Sequence, residues 1–290
     1  MSNSQEIIKL SFNQTNLISN PTGGLNNFMQ FQATQGGYNL KDYLMCLKNI
    51  VINYSFPSFT QAASFTYTWI TGVQYTVNIP VNTTWEIADL NSLMESVMIT
   101  NGHYLLNSSG NYVFYAQIIA NSNYYKTTLQ MQPFPIALPA GWTNPSAIVF
   151  PVQPTYVQLT FNNTQVQNVL GFTAIGPYPP GQTPAVSNYS VNSQQAPQVC
   201  PYSSIQIWCD SLSAKDNNTP KLLDTFPVNV LYGQPIVYEP KFPSWVLCNS
   251  SATYNFINVY LLDQYGLPLT VLDPNWSMSI LLKKANSTLI

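Results

Sequence analysis

Few residues of this chain have the types and spacing that acid–base chemistry needs. His103 is the only histidine, and no serine or cysteine motif accompanies it that would require it as a base. Glu86, Asp89 and Glu95 lie on the polar side of a segment with helical periodicity. No second group of carboxylates completes an acid–base pair with them. We therefore interpret His103 as a packed or exposed ring and the three acids as a solvated helix face.

The four cysteines also lack the spacing of a known site. Cys46, Cys200, Cys209 and Cys248 include no CxxC pair, and with one histidine they do not predict a zinc site. Widely spaced thiols in a chain of this length are typical of buried apolar groups rather than of a disulfide framework.

The remaining acids are interpreted as turn residues. Asp210, Asp216 and Asp263 fall in predicted turns, and a calcium loop would need more oxygen donors at closer spacing. The chain has no glycine-rich phosphate loop and no GxSxG or HExxH motif. The sequence therefore predicts no catalytic, cofactor-binding or metal-binding residues, and a protein that is not an enzyme.

Charged residues are scarce along the whole chain. They make up 7% of the 290 residues, against about 25% in a typical globular protein. All nine basic residues are lysine and the net charge is −2, so the arginines preferred for bidentate phosphate recognition are missing. The sequence predicts no direct nucleic-acid binding. With so few charges, copies of the chain repel one another weakly, which favours a subunit of an assembly. A compositional bias of the genome is an equally good explanation of the scarcity of charge.

Membrane and export signals are not predicted. No run approaches the roughly 20 apolar residues of a membrane-spanning helix. The first nine residues, MSNSQEIIK, lack the apolar core of a signal peptide. We expect a protein that is made and kept inside a cell.

The elements that position these residues are predicted to be mainly strands. Alternating or continuous apolar runs bounded by Pro, Gly and Asn predict strands at 7–12, 49–54, 65–69, 73–79, 112–119, 125–131, 156–161, 204–209, 222–231, 253–262 and 276–284. Thr71-Gly72 predicts a tight hairpin. Residues 174–200 have the composition of an exposed loop.

One segment has clear helical spacing, with apolar residues from Ile87 to Met98. Thr83 and Glu86 match a capping box, and Asn101-Gly102 suits a C-terminal cap. A short helical turn at 165–170 ends at Gly171. One substantial helix among many strands, with long Pro-rich connections and no βαβ rhythm, predicts an all-β sandwich of the jelly-roll or a similar type.

Several short motifs are informative through their order along the chain, at 85–91, 169–172 with 176–179, 203–207, 262–269 and 276–282. In this order they resemble the minor capsid, or penton, proteins of virophages and polinton-like viruses. These viruses belong to the icosahedral DNA viruses whose major capsid protein is a double jelly roll. The resemblance spans residues 75–283, and the absence of arginine departs from it.

The resemblance implies a single jelly-roll β-sandwich that forms a homopentamer at the five-fold vertices and contacts the major capsid protein. Some relatives carry an inserted domain, and residues 81–199 are the candidate for a second, β-rich domain carrying the helix. Residues 1–80 would then hold an N-terminal arm and the first part of the roll, and 200–290 the remainder. The protein would reside at the capsid vertex of a virion made in the infected host cell.

Two functions remain open from the sequence. The first is the structural vertex subunit, whose aromatic, charge-poor flanks would pack against neighbouring copies. The alternative is a lectin-like attachment module that binds a glycan or a host-surface receptor, because the chain has 19 tyrosines and six tryptophans. Exposed aromatic rings could serve either function.

Overall fold

The computed structural model describes residues 7–32, 37–212, 221–248 and 253–285. The chain divides into two compact units, unit 1 (Met1–Pro57 with Tyr202–Ile290) and unit 2 (Ser58–Pro201). The start of the predicted N-terminal arm, residues 1–6, and Asp216 lie outside the described residues.

The chain begins with β1 (Ile7–Phe12), a 3-10 turn (Gln14–Asn16), β2 (Phe28–Gln32), β3 (Tyr38–Asn39) and β4 (Tyr43–Asn53). Unit 2 then contributes β5 (Ala63–Thr68), β6 (Gln74–Ile79), α1 (Ile87–Thr100), β7 (Leu105–Leu106), β8 (Tyr112–Val113), β9 (Ala116–Asn121), β10 (Lys126–Met131), β11 (Gln158–Thr160), α2 (Thr164–Leu170) and β12 (Tyr189–Asn192). The chain ends with β13 (Ser204–Cys209), β14 (Lys221–Pro227), β15 (Pro235–Tyr238), β16 (Val246–Leu247), β17 (Thr253–Tyr254), β18 (Phe256–Asp263) and β19 (Ser277–Lys284).

The main strands of unit 1 form two antiparallel sheets with jelly-roll order. One sheet runs β1-β19-β4-β15, with β16 also pairing with β4, and the other runs β14-β13-β18-β2. The chain passes between the sheets from β1 to β2, β2 to β4, β14 to β15 and β18 to β19, which is the connectivity of a jelly roll. The predicted all-β, jelly-roll fold is confirmed, and we refer to unit 1 as the roll.

The core of the roll follows from alternation along its strands. In β19 and the residue before it, Trp276, Met278, Ile280 and Leu282 are all at most 2% exposed. In β18, the alternate residues from Ile257 to Leu261 are fully buried and join the same cluster. Successive strand residues point to opposite faces, so each sheet presents one apolar face to the core. Each large apolar side chain buried in this way contributes about 1.5–3 kcal/mol.

Helix α1 is confirmed, but its predicted start is wrong by three residues. Glu86, not Thr83, is the N-cap, and its backbone N–H donates to Asp89 Oδ2 at 3.0 Å. Thr83 Oγ1 instead donates to the carbonyl of Pro80 and accepts from Trp85 Nε1, both at 2.6 Å. Both pairs have the spacing of a capping box, and the spacing alone could not choose between them.

The C-terminal end of α1 is as predicted. Asn101 is the C-cap and Gly102 has a φ of +72°. The N–H of Gly102 donates to the carbonyl of Ile99, and that of His103 to the carbonyl of Met98. These are the two hydrogen bonds of a Schellman motif. They place His103 directly against the end of the helix.

Unit 2 contains the predicted hairpin, which turns at Gly72 with a φ of +82° and joins β5 to β6. Because β5 also pairs with β11, the hairpin belongs to the same compact unit as β11. Unit 2 therefore begins at Ser58, whereas the sequence placed the boundary of the inserted domain at Val81. A second sheet of this unit runs β12-β10-β9.

Several predicted segments differ from the structure, among them the strand predicted at 253–262, which is divided into β17 and β18. The strand predicted at 112–119 is divided into β8 and β9, because the backbone bends at Phe114-Tyr115 and the Tyr115 ring packs 4.5 Å from that of Phe134. Residues 174–200 are not all loop, since β12 pairs there with β10. The strand predicted at 222–231 ends at Pro227, where proline has no N–H for a sheet.

Candidate functional site

His103 is a packed ring in the core of unit 2. Its side chain is buried and stacks on Trp69, with ring centroids 4.2 Å apart and planes 13° apart. The Tyr67 hydroxyl lies 2.9 Å from Nδ1, and the edge of the Tyr75 ring closes another side. Burial lowers the pKa of His103 to about 4, so the ring is neutral at pH 7. The contacts of this ring are aromatic rather than carboxylate.

The acids of α1 organise the helix instead of facing His103. Asp89 caps the first turn through the backbone of Glu86, and Glu95 Oε1 accepts from Asn91 Nδ2 at 2.8 Å. Asn91 Oδ1 in turn accepts from the backbone N–H of Ile118 at 2.8 Å, which ties α1 to β9. The geometry supports the interpretation of these acids as part of a polar helix face.

Three of the cysteines have the predicted character. Cys46, Cys209 and Cys248 are buried and Cys200 is exposed. Burial raises the pKa of both Cys209 and Cys248 to about 12. These thiols are therefore protonated at neutral pH and are poor nucleophiles. Within the described ranges, no group of three His, Cys, Asp or Glu side chains is placed to hold a metal ion.

Asp263 holds a backbone turn, as predicted, whereas Asp210, in the turn after β13, bonds across to β18. Asp263 Oδ1 accepts from the N–H groups of Tyr265 and Leu267 at 2.8 and 2.9 Å. Asp210 accepts from both the backbone and the side-chain amide of Asn258. Burial raises the pKa of Asp210, although the bonds from Asn258 oppose that shift.

A candidate binding surface lies on the outer face of the sheet β14-β13-β18-β2. A row of apolar side chains crosses this sheet, with Trp208 opposite both Leu222 and Tyr260, and Tyr260 opposite Phe28. The rings of Phe28 and Tyr260 stack with centroids 4.6 Å apart. Phe256 lies on the same face of β18. We call these five residues the aromatic face.

Alternation determines that the aromatic face points away from the core of the roll. The neighbours Ile207, Cys209 and Val259 are fully buried in that core. Residues between them must point to the opposite side of the sheet. Leu222 and Phe256 remain 44% and 39% exposed, whereas Trp208 and Tyr260 are half-buried and Phe28 is only 4% exposed. The apolar surface that a partner could cover is therefore mainly that of Leu222 and Phe256, with the partly exposed rings of Trp208 and Tyr260.

The polar groups beside the aromatic face bond to one another. Trp208 Nε1 donates to Gln206 Oε1 at 2.8 Å. Gln30 Nε2 donates to Asn258 Oδ1 at 2.9 Å, and Asn258 Nδ2 donates to Asp210 Oδ2 at 2.5 Å. Because these partners are already paired, covering the face would cost less than burying unsatisfied polar groups.

The sequence did not identify this surface as a site. Trp208 and Tyr260 were visible as residues on the second side of predicted strands, but β2, which carries Phe28, was not predicted. The row depends on pairing between residues far apart in the chain.

Among the described residues, no helix has the length and apolarity needed to cross a membrane.

No protein-family model and no curated protein matches this chain. Among solved structures, it is similar to the crystal structure of the selenomethionine-labelled mavirus penton protein. The match has 12% sequence identity and a TM-score of 0.44, and it covers 96% of this chain and 99% of that chain.

Proposed function

We propose that this protein is a structural virion subunit, a minor capsid or penton protein that closes the five-fold vertices of an icosahedral capsid as a homopentamer. The observation that carries this proposal is the aromatic face on the outer sheet of the roll. Further support comes from the motifs that resemble virophage penton proteins. Those at 203–207, 262–269 and 276–282 fall in β13, in β18 with its following corner, and in β19.

Ring closure requires that one surface of each copy packs on a different surface of the next copy. Trp and Tyr are enriched among the residues that dominate interface energetics, and charged residues are depleted at interface centres. The aromatic face meets the first condition with Trp208 and Tyr260, and its neighbours Gln30 and Gln206 are uncharged. The Asp210 carboxylate beside it is bonded to Asn258. In this proposal the face lies between adjacent copies.

The test is the mass of the protein in solution, with Leu222→Glu as the disrupting variant. We expect the wild type to sediment as five chains at micromolar concentration. Leu222→Glu should sediment as a single chain, because the interface would bury an unpaired carboxylate at a cost of several kcal/mol. Leu222 is 44% exposed, so its replacement should not prevent folding.

The matched control is Val237→Glu, which places the same charge on β15 of the other sheet, where Val237 is 70% exposed. This variant should retain the wild-type mass if the aromatic face is the interface. A monomeric wild type at tens of micromolar, with no incorporation into particles, would refute the vertex role. Equal loss of assembly in both variants would refute the choice of face.

We also propose that unit 2 is a domain inserted between β4 and β13 of the roll. Its two chain ends meet within the unit, where Ser58 Oγ donates to the carbonyl of Val199 at 2.6 Å. The ends of the roll also meet, where the rings of Phe56 and Tyr202 contact with centroids 5.7 Å apart. A domain with adjacent ends can be inserted into a loop without separating the flanking strands.

The insertion is tested by replacing residues 58–201 with a Gly-Gly-Ser linker and by expressing 58–201 alone. We expect both products to unfold cooperatively in urea, as single domains do. An unfolded linker variant, together with an unfolded isolated segment, would show that the two units do not form separate domains. The far-ultraviolet circular dichroism of each product measures the outcome.

In this proposal the subunit lies beside a double-jelly-roll major capsid protein in the virion, after synthesis in the infected host cell. Electron cryomicroscopy of particles containing the chain checks the location. Density for the roll on the five-fold axes is the expected result, and density only at other positions would contradict it.

A further inference from the structure

The turn that follows β18 carries two large, exposed apolar side chains next to the aromatic face. Tyr265 is 79% exposed and Leu267 is 60% exposed. The turn is joined to the edge of the aromatic face through Gln206, whose Nε2 donates to the carbonyl of Gln264 at 3.3 Å. We call residues 263–267 the corner turn. It adjoins the surface that the proposed function places between adjacent copies.

Hydrogen bonds hold the corner turn in one backbone conformation. Asp263 Oδ1 accepts from the N–H groups of Tyr265 and Leu267, and the N–H of Asp263 donates to the carbonyl of Leu267 at 2.9 Å. Gly266, with a φ of +78°, donates to the carbonyl of Asp263 at 3.0 Å. A segment that is already fixed loses less conformational entropy when a partner covers it. Tyr265 is therefore a preformed anchor, and tyrosine is enriched among the residues that dominate interface energetics.

The same end of the roll has a pocket in the loop between β1 and β2. The pocket has a volume of about 490 Å³ and is lined by residues 17–20 and 24–26. Leu25 pairs with Thr270, just after the corner turn, and its carbonyl accepts from the N–H of Val271 at 2.8 Å. We call this pocket the end pocket. It lies at the same end of the roll as the corner turn, but on a different segment of the chain.

The lining of the end pocket suits a tyrosine side chain. Ile18 and Leu25 are 41% and 44% exposed and supply carbon surface, and the exposed Ser19 supplies a hydroxyl. The amides of Asn20 and Asn26 already donate within the roll, so they fix the loop. The lining residues carry no charge. Tyrosine combines an apolar ring with a hydroxyl that needs a partner when it is buried, and both parts have a counterpart in this lining.

A closed ring needs two different surfaces that meet when copies are related by rotation about one axis. The two surfaces must lie at the same level along that axis, which two patches at one end of the roll can satisfy. We infer that Tyr265 of one copy inserts into the end pocket of the next copy around the ring. This inference rests on the proposed function, and it names a contact that continues the interface beyond the aromatic face.

The test is sedimentation of the full-length protein over a series of concentrations, which gives the concentration at which half of the chains are assembled. Tyr265→Ala should raise this concentration at least about tenfold, because it removes the anchor. Ser19→Trp, at an exposed lining position, should also raise it, because the indole ring fills the end pocket. The double variant should assemble about as well as Tyr265→Ala alone, since it has no ring for the filled pocket to exclude.

Tyr124→Ala is the matched control, because Tyr124 is 69% exposed in unit 2, and it should assemble as the wild type does. Thermal unfolding shows that each variant is folded. A monomeric wild type would refute the proposed function and this inference with it. The inference alone is overturned if the wild type is pentameric and either Tyr265→Ala or Ser19→Trp leaves its assembly unchanged. Independent effects of the two replacements in the double variant would also overturn it, because residues in contact do not act independently.

Discussion

Replacing Trp276 by alanine is expected to lower the free energy of unfolding of the roll by about 3–5 kcal/mol. The Trp276 ring is 2% exposed and packs in the core beside Met278 and Ile280. Its Nε1 also donates to the carbonyl of Asn26 at 2.8 Å, which fixes the loop between β1 and β2. The variant loses the packed volume and leaves that carbonyl without its donor.

Urea unfolding followed by circular dichroism measures this effect. Trp276→Phe separates its two parts, because the phenyl ring retains most of the volume but cannot donate to Asn26. Phe242→Ala is the exposed control, since Phe242 is 83% exposed, and it should change stability by no more than about 0.5 kcal/mol. Equal destabilisation by Trp276→Ala and Phe242→Ala would contradict the packing described for the roll.

Acidification from pH 7 to pH 4 is expected to destabilise unit 2 by about 2–3 kcal/mol through His103 alone. Burial lowers the pKa of His103 to about 4 in the folded protein, whereas in the unfolded chain it is close to 6.5. Between these values the unfolded chain binds the extra proton, so stability falls as the pH falls. Below pH 4 both states are protonated and this contribution stops changing.

The contacts of His103 explain the direction of this shift. The Tyr67 hydroxyl can donate to Nδ1 only while that nitrogen carries no proton. Protonation would also place a charge among the buried rings of Trp69 and Tyr67. The neutral ring is therefore part of the folded state.

Urea unfolding of the wild type and of His103→Phe, measured from pH 7 to pH 4, isolates this contribution. The phenylalanine ring can stack on Trp69 but cannot titrate. The variant should be less stable at pH 7, because the Tyr67 hydroxyl loses its hydrogen bond to Nδ1, but should show a shallower dependence on pH. Carboxylates that titrate in this range are present in both proteins and cancel in the comparison. Parallel pH profiles would show that His103 is not the group responsible.

Patterns that are local in sequence were the ones that predicted the structure well. β1 and β13 have the predicted bounds, and α2 ends at the predicted Gly171. In each case the residues that determine the element lie within it or next to it. The jelly-roll class also followed from the density of alternating strands and the lack of βαβ rhythm.

Features that depend on distant pairing were missed. β12 has a polar, half-exposed sequence and is a strand because β10 lies beside it. β15 is also short, and it is a strand because it pairs with β4. The aromatic face required Phe28 and Tyr260 to be adjacent, and no spacing rule within either segment indicates that.

The pairing of β1 with β19 sets the order in which a ribosome can complete this protein. β19 lies between β1 and β4, with Ile7 opposite Lys283 and Val51 opposite Ser277. Both early strands must therefore wait until β19 has been translated before they acquire their shared neighbour. Residues 58–201 emerge long before that point and contain all the strands of their own sheets. In a nascent chain that is stalled once residue 201 has left the exit tunnel, unit 2 should be folded while the roll is still incomplete.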